Sequence, residues 1–539
     1  MAIKRPPFRD ISKDLNEPMA PIEMDDLIDI LGIDKNEETP LEPTSDKIKN
    51  TYDWYLDGHI ALSNLYPPKT KEEENEIVRK FLSGFEKLLD PKNNWTMLQI
   101  LKTGLDYCVR CQTCSEACHV FIASGRQEIY RPTYRIEILR RIYKKYFTPE
   151  GKLLGSFVGA DVDLNWKTIY RLAELAHRCN LCRRCAQRCP VGIDNGYLAR
   201  EIRVLLSQEL GISPVEILEK GSRLQLTIGS STGLSPMALK DYLEFVEEDT
   251  YEKTGIKIKF PINKKGAEIL LLHNAGEFVS WHENPAAFAI LFDAAGISWT
   301  ISDEPVGYDN VNYGLWNDDI EAARVVLRQA KIGKDLGVKR IVIGECGHST
   351  KAFCVIGDRI LTGDLASSEI SRESCLPLFW EIYKSGAIKF DPSKNNFPVT
   401  LHDPCNIVRN MGIVMPQRKV LSAIAPQWRE MHPNGVYNYC CGGGSGFAIM
   451  QGLNFPQWRN KVSSRMKLNQ ILNAFKDELD PNIPKYVCAP CSNCKGTIRD
   501  LFAHYNCKEK FNLTYGGLVE LMVNAMVDLK KPYITWDEY

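Results

Sequence analysis

The sequence predicts an α+β chain of several domains, in which a helical module organised by cysteines precedes a pseudo-duplicated α/β unit. Three observations carry this. Eight cysteines fall into two runs of identical spacing, Cys108, Cys111, Cys114, Cys118 and Cys179, Cys182, Cys185, Cys189, set among helical periodicities. Past residue 266, short apolar runs alternate with helical stretches, and they do so twice, the pattern of parallel sheets. In both halves the unusual residues fall at the ends of the predicted strands, where such sheets place their ligands.

Residues 1–95 are predicted as an N-terminal arm and a helix. The arm, to about residue 70, is rich in Pro, Asp and Glu and reads as an extended or partly disordered segment. Ile77, Phe81, Phe85 and Leu88 then recur at helical spacing between Lys71 and Leu89, with Pro91 just beyond.

Residues 96–220 form the predicted helical two-cluster ferredoxin-like domain, with helices over Ile136–Tyr143, Trp166–Ala176 and Tyr197–Leu210. Each cysteine run reads C-x2-C-x2-C-x3-C, the ferredoxin spacing for a cubane [4Fe–4S] cluster. Three closely spaced thiolates reach three irons of one cube, and the fourth iron is held from a distance. In two-cluster ferredoxins the fourth cysteine of each run serves the other cube. That assigns Cys108, Cys111, Cys114 and Cys189 to one cluster, and Cys179, Cys182, Cys185 and Cys118 to the other. Structural zinc would show two separated C-x2-C pairs instead. The basic stretch between the runs, Arg131, Arg135, Arg140, Arg141, Lys144 and Lys145, reads as a solvated helix face more readily than as a docking patch.

A linker over 221–265, rich in Gly, Ser and Thr at its start, leads to the α/β halves at 266–390 and 391–539. The first half has strands at Glu268–Leu272, Ser298–Ile301 and Arg340–Ile343, and helices at Pro285–Ala295 and Asp318–Leu336. The second has strands at Val399–His402 and Lys485–Val487, and helices at Pro416–Ile424 and near Trp458–Phe475. Its strand ends carry His402-Asp403-Pro404-Cys405 and Cys488-Ala489-Pro490-Cys491, and Cys440-Cys441-Gly442 lies between them. The first half has Cys346 and His348 after its third strand, with His273-Asn274 and Asn312-Tyr313-Gly314 at the other matching places. Glycines after paired cysteines let backbone approach a bulky inorganic group where a Cβ would clash. Cys354, Cys375 and Cys507 lack ligand partners by spacing and read as small buried hydrophobes. His402 and Asp403 are candidates for proton transfer or for a structural cap, and His119 for a bond to cluster sulfur or for solvent.

Composition excludes several classes. The net charge is −1, so nothing predicts a nucleic-acid partner. The opening MAIKRPPFRD lacks the apolar core of a signal peptide, and metal-ligand spacing accounts for most thiols. A cytoplasmic protein is expected. No apolar stretch approaches the roughly 20 residues of a membrane span, so any membrane attachment runs through another subunit.

The motifs HDPC, CCGGG and CAPCSNC resemble the cysteine-rich CCG domain of heterodisulfide reductases. The family pattern is a cysteine, then Cys-Cys-Gly, then a C-x2-C pair, and in heterodisulfide reductases it holds a noncubane [4Fe–4S] cluster that handles disulfides. The matching residues are Cys405, Cys440, Cys441 and two of Cys488, Cys491 and Cys494. The family's pair is followed by a helix, and the helix expected at Lys495–Phe502 favours Cys491 and Cys494. The first half departs from the pattern, so Cys346 and His348 are expected to face the single cluster rather than build a second. The resemblance implies a degenerate and an intact CCG half.

Within the family the chain is most similar to the catalytic K-type iron–sulfur subunits of the membrane complex that accompanies dissimilatory sulfite reductase. That implies an oxidoreductase on the inner face of the cytoplasmic membrane, with an integral-membrane haem/quinone subunit and further electron-transfer subunits as partners. It also implies a small cysteine-bearing sulfur-carrier protein, in disulfide or trisulfide form, as substrate. Catalytic roles then fall to Cys405, Cys440, Cys441, Cys346, His348 and His402. The alternatives are an iron–sulfur subunit of a flavin-dependent 2-hydroxyacid or glycerol-3-phosphate dehydrogenase, and an electron relay without substrate chemistry.

Overall fold

The protein is described by a computed structural model over residues 61–62, 65–94, 97–360, 370–450, 452–455 and 457–536. The arm expected over 1–70 lies, up to residue 60, outside the described residues. The chain divides into two units. The first comprises the residues up to Leu218 with Trp316–Asp319 and Gly442–Asn469; the second comprises Glu219–Leu315, Ile320–Cys441 and Gln470 onward.

The first unit is helical. Its main helices are α1 (Lys71–Leu89), α2 (Leu98–Asp106), α3 (Pro132–Phe147), α4 (Trp166–His177) and α5 (Asn195–Leu210). Local chemistry starts them: Thr70 accepts from the Glu73 N–H, Asn165 from Thr168, and Asp194 from Gly196 and Tyr197, while Pro132 opens α3. These are the capping residues that satisfy orphan donors of a first turn. Buried from Asn195 through Leu206, α5 packs on α1, α2, α3 and α4. Close approach is possible because Gly104 faces it, where a Cβ would lie 2.5 Å from Leu198. The basic stretch is not a solvated face throughout. Arg135 and Arg140 are buried, and Arg140 donates to the Gly104 carbonyl at 2.9 Å.

The second unit holds two four-stranded parallel sheets of the same order. One is β2-β1-β3-β4, from β1 (Ile269–Leu272), β2 (Trp299–Thr300), β3 (Arg340–Ile343) and β4 (Ser371–Ser374). The other is β6-β5-β7-β8, from β5 (Val399–Leu401), β6 (Trp428–Arg429), β7 (Lys485–Cys488) and β8 (Leu513–Gly516). In register, Leu272 pairs Ile343 and Leu401 pairs Cys488, so the central strands of each sheet end together. One apolar core serves both sheets. It joins Phe288 of α7 (Glu283–Ala294), which follows the short α6 (Ala275–Ser280), Phe379 of α8 (Cys375–Ser385), Val420 of a helix at Met415–Ile424, and Leu518 and Met522 of a helix at Leu518–Asn524.

Three further places differ from the sequence reading. Pro236–Thr254, within the expected linker, is a helix that buries Leu239, Leu243 and Val246. The Gly/Ser/Thr stretch is pinned rather than free, since Ser230 and Ser231 hydroxyls donate to buried Asp309 at 3.0 and 2.7 Å. The helical stretch near Trp458–Phe475 is broken by a wide turn at Arg459–Ser463 before Arg465–Ala474, and most of it belongs to the first unit.

Candidate metal centres

The two cysteine runs have the same backbone. Arg110 and Gln112 in the first, and Leu181 and Arg183 in the second, all have φ between 52° and 64°. These four non-glycine residues occupy equivalent places after the leading cysteine. Left-handed backbone is costly for such residues, and repeated at matched positions it turns successive N–H groups inward, the arrangement that cradles anionic groups. In the second run the Leu181 N–H already points at Cys179 Sγ, at 3.4 Å.

The fourth cysteine of the second run lies beside the first run. Cys108, Cys111, Cys114 and Cys189 line one small cavity together with Val109 and Val191. Cys118 instead shares Arg135 with the second run: the guanidinium reaches Cys118 Sγ at 3.6 Å and donates to the Arg178 carbonyl at 3.0 Å, and it feels Cys179 and Cys185. Burial and the crowding of neighbouring thiols push Cys114 up to about 12, a cost that a cationic group would remove. His119 is buried, with Nε2 3.1 Å from Asn180 Oδ1 and Nδ1 3.9 Å from Cys182 Sγ, so it lies against a cluster thiol and not in solvent. Asn180 in turn donates to the Gly442 carbonyl at 2.8 Å, where Ser463 Oγ joins at 2.9 Å.

The second unit gathers the remaining thiols. His402 follows β5 and stays tied to the sheet, its N–H donating to Cys488 O at 2.8 Å. Asp403 is a structural clamp. Its carboxylate takes both terminal nitrogens of Arg418 at 2.8 and 2.7 Å and the Gly435 N–H at 2.7 Å. Cys405 opens the helix Cys405–Asn410. After β7, Cys491 precedes α9 (Ser492–His504), whose first turn carries Cys494. After β3, the Gly347 N–H points at Cys491 Sγ at 3.3 Å. A Cβ on Gly347 would sit 3.3 Å from Pro404 and 3.5 Å from that sulfur, so a glycine keeps the strand ends of the two sheets close.

His402, Cys441 and Cys494 place ligand atoms within 4.8 Å of one another, all buried. Hydrogen bonds from Cys440 and Cys494, with His402 adding charge, hold the Cys441 thiol well below its usual range. Cys491, bonded to Cys494, is also lowered. The thiolate is the ligand form, so Cys441 and Cys491 fit an iron–sulfur group, while Cys494, hydrogen-bonded to both, is held well above its usual range. Cys488 stays in the strand, and the charges it feels are Glu345, Glu520, Lys495 and Asp403 rather than the thiol group. Cys346 is buried beside Cys491, and burial with that neighbour pushes it up to about 12. His348 turns elsewhere: its Nε2 meets the Asn312 backbone, 2.9 Å from the carbonyl. His273 contacts Glu277 at 3.4 Å and lies edge-on to Phe278 and Phe288. Cys354, Cys375 and Cys507 are buried.

Behind these thiols sits an ion cluster that the sequence does not announce, because its members lie far apart in the chain. Lys495 Nζ is 3.5 Å from Glu277 and 3.7 Å from Glu520. Asn284 donates to Glu345 and to Glu520, both at 2.9 Å. Glu345 also accepts the Leu518 N–H at 2.7 Å, and Tyr486 donates to Glu520 at 2.8 Å. Lys495 follows Cys494 and Glu345 precedes Cys346, so the cluster fixes the two turns that present these thiols.

Comparison with known proteins agrees with this geometry. Residues 104–193 match the model of a 4Fe-4S dicluster domain, and residues 399–499 that of the cysteine-rich CCG domain. The fold and sites thus define a 4Fe-4S protein in which a dicluster domain precedes a CCG domain. The chain is 27% identical over 468 residues to the Hdr-like menaquinol oxidoreductase iron-sulfur subunit 2 of Archaeoglobus fulgidus, covering 79% of this chain and 80% of that one. It is 25% identical over 418 residues to the D chain of the dihydromethanophenazine:CoB–CoM heterodisulfide reductase of Methanosarcina acetivorans, covering 76% and 92%. The chain is thus similar to heterodisulfide reductase D-like proteins that carry a CCG domain. No solved structure is a significant match. No helix among the described residues is long and apolar enough to cross a membrane.

Proposed function

We propose that this chain is the catalytic iron–sulfur subunit of a membrane-linked oxidoreductase, most like the K-type subunits named above. Electrons from a quinol-oxidising haem subunit would pass through two cubanes to a noncubane [4Fe–4S] cluster, and there reduce a disulfide or trisulfide on a small sulfur-carrier protein. The observation that carries this is the convergence of His402, Cys441 and Cys494 within 4.8 Å, with Cys491 held beside them by the Gly347 N–H.

The crossed sets, Cys108/111/114/189 and Cys179/182/185/118, would hold the cubanes. Cys405, Cys440, Cys441, Cys491 and Cys494 would hold the third group. When bound, such a cluster offers iron that can take a substrate sulfur and deliver electrons one at a time. The protein's own part is positional. Asp403 and Arg418 fix the turn that aims His402, burial excludes water, and His402 is the group beside the thiols able to carry a proton near neutral pH. Reduction of a disulfide consumes two electrons and two protons and yields two thiols, so a proton carrier is required. We also read the two sheets as a duplication, of which the second half kept the ligands.

The test is substitution of Cys441 by Ser in the full complex. Disulfide or trisulfide turnover should vanish while both cubane signals persist in paramagnetic resonance. Turnover at the wild-type rate would make the chain an electron relay.

A further inference from the structure

The two cysteine runs differ in one respect that their shared spacing hides. Cys179 and Cys185 of the second run and its crossed partner Cys118 are buried, whereas Cys111 of the first is exposed. Around it the surface is apolar. Val109 is 71%, Tyr107 67% and Val191 49% exposed, and Val109 and Val191 line the same cavity as Cys108, Cys111, Cys114 and Cys189. The patch continues outward. The Arg110 side chain reaches within 3.8 Å of the Cβ position of Gly159, on the turn that carries Phe157 and, before it, Leu153, 94% and 85% exposed. Side chains of this size are rarely left so bare in a cluster unless something covers them.

Two arginines of this rim are already paired within the chain. Arg110 binds Glu137 at 2.8 Å, and Arg141 binds Asp161 at 3.3 Å. At these two arginines a partner gains little from charge, and beside them it gains apolar contact. Because the thiols at the centre form the proposed outer cubane site, a protein docked over them meets a redox group.

We propose that this rim, with Phe157 and Leu153 as anchors, is the docking face for the protein that delivers electrons, and that recognition there is apolar rather than electrostatic. The inference rests on the function proposed above and adds to it the point of electron entry, through the first run and not the second.

The test uses the full, cluster-loaded chain and membranes that retain the complex's other subunits but have been stripped of this one. Phe157→Glu and Leu153→Glu should each weaken cosedimentation with those membranes about tenfold, the loss of one good anchor. Reduction by menaquinol through the membranes should slow in parallel, and reduction by dithionite should not change. Binding of the wild type should survive high salt. Met237→Glu, at a bare apolar position elsewhere, serves as control and should behave as wild type. Undiminished binding by both rim variants overturns the docking face and leaves the function standing. Equal loss of binding to protein-free phosphatidylglycerol vesicles would make the patch a lipid contact, and a wild-type dimer turned monomeric by Phe157→Glu would make it a self-interface; either overturns the proposal. If dithionite reduces the wild type but the membranes do not, the proposed function itself falls.

Discussion

Replacing Lys495 by Met tests whether the buried ion cluster supports the thiol turns. Lys495 is 1% exposed and faces Glu277 and Glu520, which are 0% and 3% exposed, with Glu345 close by. Met keeps the aliphatic stem, whose amino end lies 5.7 Å from the Trp281 ring centre, and removes only the charge. Breaking a buried pair by deleting one partner costs about 3–5 kcal/mol. For a unit of this size that is roughly 6–10 °C in unfolding midpoint, at about 2 °C per kcal/mol.

The pH dependence gives the sharper reading. Burial pushes Glu277 up, but Lys495 and then His273 hold it below its ordinary 4.5. A carboxylate lowered in the fold contributes stability above its unfolded value, and loses it as pH falls through the folded one. Glu345 is opposite, raised to about 8 by burial and by the charge of Glu520. Without Lys495 the folded Glu277 and Glu345 both lose a charge that favours their ionised forms, so the variant's deficit should be full only above about 8, where both are ionised, and shrink as pH falls from there to below 4.5. Thermal unfolding of the metal-free chain across that range is the assay. A deficit that stays constant with pH, or no deficit at all, would refute the role assigned to the cluster.

Other expectations follow from the same geometry. Arg135→Met removes a cation beside Cys118 and should lower the reduction potential of the cluster proposed at the second run without moving that proposed at the first, as seen in a redox titration by paramagnetic resonance. Cys494→Ser should lower iron content and abolish the third signal, whereas Cys488→Ser, whose sulfur sits in the strand apart from the thiol group, should keep both near wild type. Gly442→Ala should cost roughly 2–4 kcal/mol, from left-handed backbone and overpacking: Gly442 has φ 95°, and a Cβ there would collide with the Ser464 side chain and backbone. Chemical denaturation of the variant checks it.

What the sequence revealed follows the range of the forces involved. Ligand spacing is local, so both cysteine runs are legible, whereas spacing alone leaves Cys488–Cys491 and Cys491–Cys494 as rival pairs. Central strands such as Arg340–Ile343 are legible because both faces are buried and the run is apolar. Edge strand β4, Ser371–Ser374, carries polar side chains and gave no signal. The helix Pro236–Thr254 was hidden by its polar face and by the Gly/Ser/Thr stretch before it. Arg110, Gln112, Leu181 and Arg183 adopt left-handed backbone that their residue types do not advertise. The cluster of Lys495, Glu277, Glu345 and Glu520 exists only once distant segments meet.

The two family signatures occupy separate stretches, 104–193 and 399–499, as if two genes had been joined end to end. The path of the chain argues otherwise. It returns to the first unit after Cys441, with Gly442–Asn469. The returning stretch is woven in. The Asn454 side chain donates to the Ala61 carbonyl at 2.6 Å, its backbone N–H and that of Gly452 donate to Glu216 at 2.8 and 3.1 Å, and Trp458 meets Tyr130 at 3.2 Å. A gene fragment ended near residue 220 would omit that stretch and leave its seat bare. The helical unit is thereby completed only by residues that follow the CCG cysteines in the chain, so cutting the polypeptide between the two signatures does not yield it whole.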